Sequence, residues 1–295
     1  MPQPCLPAID NTASITFEIP DGACDAHAHV FGPFEQFALS ADRSYTPQEY
    51  VAHDFVHHLD QLGLDRGVLV TGSASGTDNG AVVHAISLHP DKLRGVIVPS
   101  SDVTEKQLDE YTAAGIRGVR VNLYQLNGQN VYRNGASLDV LEELAPRLAA
   151  RGWHAQIWIH APDLPEMMPR LKKLNMTLVL DHMGRMNTEL GVENRGFQFL
   201  CNQLSEGAIW TKISGADRNS RQGQPYNDVD PFARAILNAN MEQVVWGTDW
   251  PHINYFDQNQ MPDDGTLTNL LARWLPKAED RKRVLVDNPA NLYDF

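Results

Sequence analysis

Short runs of apolar residues alternate along this chain with longer stretches in which apolar positions recur every three or four residues. The runs read as strands at residues 22–31, 66–72, 94–99, 117–123, 154–161, 177–183, 209–215 and 244–249. Helical spacing and helix start signals fill the intervals, as at 77–89, 104–114, 136–150 and 164–174. Val, Ile and Leu occupy the runs with little polar alternation, which suits strands buried on both faces, and such strands are parallel and covered by helices. Eight βα repeats predict an α/β fold: a closed (β/α)8 TIM barrel, a single domain over residues 21–295, after an irregular lead-in over residues 1–20. A barrel of this kind takes about 250 residues, leaving room for the lead-in and for a long insertion at 32–50. An open doubly wound sheet is the competing arrangement, but no glycine fingerprint follows the first strand.

Composition narrows the partners. The chain has 295 residues, 42% hydrophobic, enough for a large core and too apolar for bulk disorder. Its 37 acidic and 24 basic residues give a net charge of −13, which disfavours a nonspecific grip on nucleic acid or an anionic membrane. Any anionic ligand must therefore be held by local arginines. Cys5, Cys24 and Cys201 are scattered without paired spacing, so a reducing cytoplasm is the expected compartment. No apolar run approaches the roughly 20 residues that span a bilayer, and the N-terminus lacks the basic region and apolar core of a signal peptide. No coiled-coil or exposed apolar stripe decides between a monomer and a homo-oligomer.

Chemistry-bearing residues collect at the ends of the strands. Asp25, His27 and His29 form D-x-H-x-H in the first, and strand alternation turns His27 and His29 to the same side. A lone histidine there is more commonly a satisfied core residue. However, His160 ends IWIHA, His182 follows VLD, and Asp249 lies in WGTDWPH. In a barrel these ends converge, and packing alone poorly explains so many ligand or proton-transfer groups on one face. Asp249 taken singly would read as a turn aspartate before Trp250 and Pro251; within the set it is the general base that takes a proton from water and returns it to the leaving oxygen. Trp250 and His252 either orient it or simply pack. Arg120, Arg185 and Arg218 also sit at or beyond strand ends. Each alone reads as a surface arginine, but together they make a positive mouth suited to carboxylate or sulfonate on a compact polyanion. His53, His57, His58, His84, His89 and His154 lie away from that mouth and carry no assigned chemistry.

This pattern resembles the amidohydrolase superfamily over nearly the whole chain. DAHAHVFGPF, TGSASGTDNG, GIRGVRVN, LVLDHMGR and WGTDWPH look like its lactonase branch, the pyrone dicarboxylate and sulfomuconolactone lactonases. The resemblance implies that His27, His29, His160 and Asp249 hold one divalent metal, zinc by preference, with His182 beside it as ligand or as electrophile to the substrate carbonyl. Zinc suits imidazole and carboxylate donors and lowers the pKa of bound water to about 7. Pyrone dicarboxylate members work without a metal and carry a carboxylate at the position of His160, so a metal-free site is the alternative. The histidine here completes a set that favours zinc, and His160→Ala is then expected to abolish bound metal. The resemblance adds Tyr45, Ser75 and Asn254 as substrate contacts. The implied activity is hydrolysis of a small anionic lactone in aromatic-compound breakdown. Nonoxidative decarboxylation of an aromatic acid and isomerisation of a sugar-acid lactone are the alternatives on the same barrel. A non-catalytic binding protein would have no need of the intact acid, base and ligand set.

Overall fold

The computed structural model describes residues 2–126, 128–132 and 134–295. Eight parallel strands form one sheet in sequential order: β1 (Cys24–Ala28), β2 (Arg66–Val70), β3 (Leu93–Ile97), β4 (Ile116–Asn122), β5 (His154–Trp158), β6 (Leu178–Leu180), β7 (Trp210–Lys212) and β8 (Val244–Val245). The sheet closes on itself, because Ala26 N donates to Trp246 O, Asp249 N to His27 O and His29 N to Trp250 O, each at 2.8 Å. Between and after the strands run the helices α1 (Ala52–Leu62), α2 (Gly80–Leu88), α3 (Glu105–Ala113), α4 (Leu138–Ala149), α5 (Leu164–Lys173), α6 (Arg195–Ser205), α7 (Asp230–Asn240) and α8 (Asp264–Trp274). The architecture is the (β/α)8 barrel. Among the described residues, no helix is long and apolar enough to cross a membrane.

Helical periodicity does the packing work. Leu141, Leu144 and Leu148 of α4 and Leu164, Met168 and Leu171 of α5 fall on buried stripes that join the layer between helices and sheet. Inside the barrel, Cys24, Ala26, Val68, Val70, Val96, Val179 and Val245 pack with Tyr293 of the C-terminal helix Asn288–Tyr293 and close one end. The described residues of the lead-in carry no helix and run against the barrel, with Thr16 N donating to Asn269 Oδ1 at 2.8 Å. Its Cys5 joins Phe31, Tyr45, Tyr132, Trp158 and Ile253 in a separate apolar cluster near the open end.

One irregularity decides what faces the interior. Asp25 pairs with Gly67 and Ala28 with Leu69, so β1 spends one residue more than β2 over this stretch. Cys24 and Ala26 point into the barrel below this bulge. Strict alternation would then put His27 outside; the extra residue instead brings His27 and His29 inward and sends Ala28 into the helix-facing layer.

The observed strands are shorter than the apolar runs. β6 ends at Leu180 and β8 at Val245, so His182 and Asp249 stand in turns beyond the strands, not on them. The cause is local backbone: His182, Met183, Gly184 and Arg185 all have φ between 49° and 65°, and Asp249 has φ 68°. Left-handed backbone cannot continue a strand, and it costs a non-glycine residue about 1–2 kcal/mol.

Candidate active site

The strained turns are held by specific bonds. Asp249 N donates to His27 O, and Trp250 N donates to Thr248 Oγ1 at 3.0 Å. Thr248 Oγ1 donates in turn to Asp25 Oδ2 at 2.6 Å, while Thr248 N and His27 N both donate to Asp25 Oδ1. Asp25 thus clamps the start of the barrel to its end and is no part of a ligand group; burial pushes its carboxyl up to about 7. The His182 turn is tied by Asn219 Nδ2 to His182 O at 2.9 Å. Gly215 permits that turn, since a Cβ there would stand 2.9 Å from the Cβ of His182.

These turns bring three imidazoles to one carboxylate oxygen. Asp249 Oδ1 lies 3.5 Å from His27 Nε2, 3.3 Å from His29 Nε2 and 3.7 Å from His182 Nε2, and all four side chains are buried. His29 Nδ1–H donates to Val70 O at 2.7 Å, because a carbonyl can only accept. In a neutral ring its Nε2 lone pair then confronts a carboxylate oxygen, a repulsive contact unless a cation or a proton lies between them. Among the described residues His27 Nε2 has no hydrogen-bond partner. Burial, reinforced by Lys212, holds His27 well below the usual imidazole range, and burial brings His182 down to about 4, so both are neutral donors at pH 7. Burial alone would raise Asp249, but Arg218 and the neighbouring histidines outweigh it and hold the carboxyl well below its ordinary range.

This donor set fits a divalent ion. Tetrahedral zinc with bonds of about 2.0–2.1 Å places its ligand atoms about 3.3 Å apart, close to the separations here. His27, His29 and Asp249 form one group of converging donors, and His27, Asp181 and His182 a second that shares His27. Neither group includes His160. It comes two residues past the end of β5, a quarter exposed, with Nδ1 3.8 Å from Asp163 Oδ2 and its ring against Tyr124.

Beyond the histidines lies an open cleft of about 600 Å3, lined by Arg185, Arg218, Tyr124, Tyr132, Trp158 and Asn254 among others. Arg218 connects the two regions, lining the cleft while its Nε donates to Asp249 Oδ2. Arg185 donates to Arg218 O and to Asn219 Oδ1, its Nε has no partner, and no carboxylate lies within 4.0 Å among the described residues. Asn254 Nδ2 donates to Tyr132 Oη at 2.7 Å.

The other expected contacts lie deeper. Arg120 is 4% exposed and gives its Nε to Asp181 Oδ2 at 3.2 Å. Tyr45 is fully buried, accepting from Ser73 Oγ at 3.2 Å; Ser75 ends the short turn Ser73–Ser75 and does not line the cleft. Sequence reasoning passed over Asp181, Lys212 and Gln156, which surround the rear of His27. Each left a trace: a lysine in the apolar run IWTKISG, a glutamine in HAQIWIHA, and the aspartate just before His182.

The amidohydrolase family matches residues 24–295. A 4-sulfomuconolactone hydrolase from Rhizobium radiobacter is 38% identical, with 98% of this chain and 96% of the relative covered. A 2-pyrone-4,6-dicarboxylate hydrolase from Comamonas testosteroni is 37% identical over 96% of this chain and 93% of its own. Among solved structures, a protein described as a probable 2-pyrone-4,6-dicarboxylic acid hydrolase from Acinetobacter baumannii, with citric acid bound, superimposes with a TM-score of 0.80 at 26% identity, covering 93% of this chain and 100% of that one.

Proposed function

The chain belongs to the amidohydrolase family, and from that premise we propose that it hydrolyses a small anionic lactone of the sulfomuconolactone or pyrone dicarboxylate type, formed in the breakdown of an aromatic compound. The observation that carries this reading is Arg218, which lines the cleft and hydrogen-bonds the carboxylate at its base. An arginine in that position joins recognition of an anion to the reacting centre. The whole-chain relatives act on lactones that carry sulfonate or carboxylate groups, as their names state.

Arg185 and Arg218 receive the anionic group and Asn254 contacts it from the rim, with Tyr132, Tyr124 and Trp158 as an apolar wall for the ring. As the anion draws Arg218 away from Asp249, the carboxylate regains basicity and takes a proton from water attacking the ring carbonyl, later returning it to the ring oxygen that leaves. His182, oriented by Ser214 Oγ at 2.9 Å, is placed to steady the developing oxyanion. His27, His29 and Asp249 would hold a divalent ion, zinc by donor preference, with His182 at its edge. When bound, such an ion would acidify water and polarise the carbonyl.

The test is ultraviolet-monitored ring opening with 2-pyrone-4,6-dicarboxylate, 4-sulfomuconolactone and neutral dihydrocoumarin, with and without prior chelation. Turnover confined to the anionic lactones supports the reading. No turnover of either, or conversion of lactone to lactone without uptake of water, overturns it.

A further inference from the structure

Behind the histidines the barrel interior holds four polar side chains that the proposed reaction does not use: Arg120 on β4, Gln156 on β5, Asp181 just after β6, and Lys212 on β7. None is more than 4% exposed. Lys212 Nζ donates to Ala26 O at 2.9 Å and to Gln156 Oε1 at 2.8 Å, with His27 Nδ1 at 3.2 Å and Asp181 Oδ1 at 3.5 Å. Gln156 Nε2 donates to Asp181 Oδ2 at 3.1 Å, and Arg120 Nε donates to the same oxygen at 3.2 Å. The Gln156 amide can face only this way, since reversing it would turn its NH2 toward the ammonium and its oxygen toward the carboxylate. Asp181 Oδ1 is left 3.2 Å from His27 Nδ1.

An ammonium carries three protons, and four acceptors surround this one. Ala26 and Gln156 take two. The third goes either to His27 Nδ1 or to Asp181, and that choice decides which nitrogen of His27 is protonated. If Lys212 donates to Nδ1, the proton of the neutral ring sits on Nε2 and the lone pair is lost to the site. If Asp181 accepts from Nδ1–H, the Nε2 lone pair faces Asp249. Two ionised carboxylates compete for the His27 proton: Asp181 Oδ1, without a hydrogen-bond partner among the described residues, lies 3.2 Å from Nδ1, nearer than Asp249 Oδ1 at 3.5 Å from Nε2, and Asp249 is already paired with Arg218. For Lys212, too, an ionised carboxylate is a stronger acceptor than an imidazole, the more so where water is excluded.

We propose that Asp181 is a positioning residue that holds His27 in its Nδ1-protonated tautomer, and that Lys212 and Arg120 serve Asp181 and not the substrate. His29 and His27 then share one design: His29 is oriented by Val70 O and His27 by Asp181, each leaving a bare Nε2 for the reacting side. The inference rests on the reading that Nε2 of His27 faces the reacting group, but not on which lactone is opened.

The test is nitrogen-15 NMR of the imidazoles in chelator-treated protein, with the His27 signals assigned by their loss in His27→Gln. The wild type and Lys212→Met should both show His27 protonated at Nδ1 with Nε2 bare. In Asp181→Asn the amide oxygen stays with Arg120 and Gln156, its NH2 turns to Nδ1, and the proton of His27 moves to Nε2. An Nε2-protonated His27 in the wild type would overturn the proposal, as would a tautomer that changes in Lys212→Met. Those two spectra decide the matter even if Asp181→Asn does not fold. None of them reads turnover, so absence of ring opening would count against the lactonase reading and leave this one standing or falling on its own.

Discussion

Arg218 donates its Nε–H to Oδ2 of Asp249, leaving Oδ1 of the same carboxylate to His27, His29 and His182. One carboxylate therefore answers to two neighbourhoods, the anion cleft on one oxygen and the imidazole cluster on the other. Burial by itself would disfavour the Arg218 charge, but Asp249 holds the guanidinium well above its ordinary range.

Asp249→Asn keeps the size of the side chain and its place in the turn but removes the proton acceptor. We expect kcat for the anionic lactone to fall by about 10²–10⁴ with the circular dichroism spectrum unchanged. A kcat within threefold of wild type would rule out Asp249 as the base.

Among the described residues Arg185 has no acidic partner to lose, so its truncation tests anion recognition. Arg185→Met should raise KM for a sulfonated or carboxylated lactone by about tenfold or more, the range for a lost charge-assisted hydrogen bond. Equal KM values in both proteins, measured at low ionic strength, would show that the cleft is not where the anion binds.

The donor geometry separates His29 from His160. Metal analysis of purified variants should find the divalent ion lost in His29→Ala and kept in His160→Ala, because His160 belongs to neither group of converging donors and has its Nδ1 3.8 Å from Asp163 Oδ2. Loss of metal in His160→Ala would restore it to the ligand set.

His154 lies on β5 with both ring nitrogens unpartnered among the described residues, and burial, with Lys212 nearby, brings it down to about 3; burial likewise takes His58 to about 4. Unfolded histidine titrates near 6.5, so between about pH 6.5 and 4 the unfolded chain binds more protons and stability falls as pH is lowered. Asp25 works the other way: its folded carboxyl at about 7 keeps a proton that the unfolded chain releases above about 4, which favours the fold as pH falls through that window. The slope of Tm against pH over 6.5 to 4 should be shallower in His154→Gln than in wild type. An unchanged slope would mean that His154 is protonated in the folded protein.

Strand order, the helices between the strands and the common side of His27 and His29 were all legible from periodicity, because each depends on residues close together in the chain. Strand-end chemistry was legible for the same reason: a barrel gathers the ends of its strands whatever its loops do. That His182 and Asp249 leave the strands for left-handed turns was not visible, since those turns are held by Asn219 and Asp25 from other parts of the chain, Asp25 acting through the neighbouring Thr248.

Arg120 shows the limit most plainly. Its position on β4 was correct, but whether an arginine at a strand end faces a ligand or a buried carboxylate depends on what the facing strands present, and here that is Asp181. Lys212 likewise reads as one charge in an apolar strand until Ala26, 186 residues away in sequence, offers it a carbonyl. The sequence by itself determined the barrel, because local periodicity and chain order are enough to specify it. The tertiary structure alone decided which of the groups at its mouth share a proton, a charge or a metal position, because such pairing depends on distances of about 3 Å between residues from different strands. A single bulge in β1 was enough to change which of them face inward.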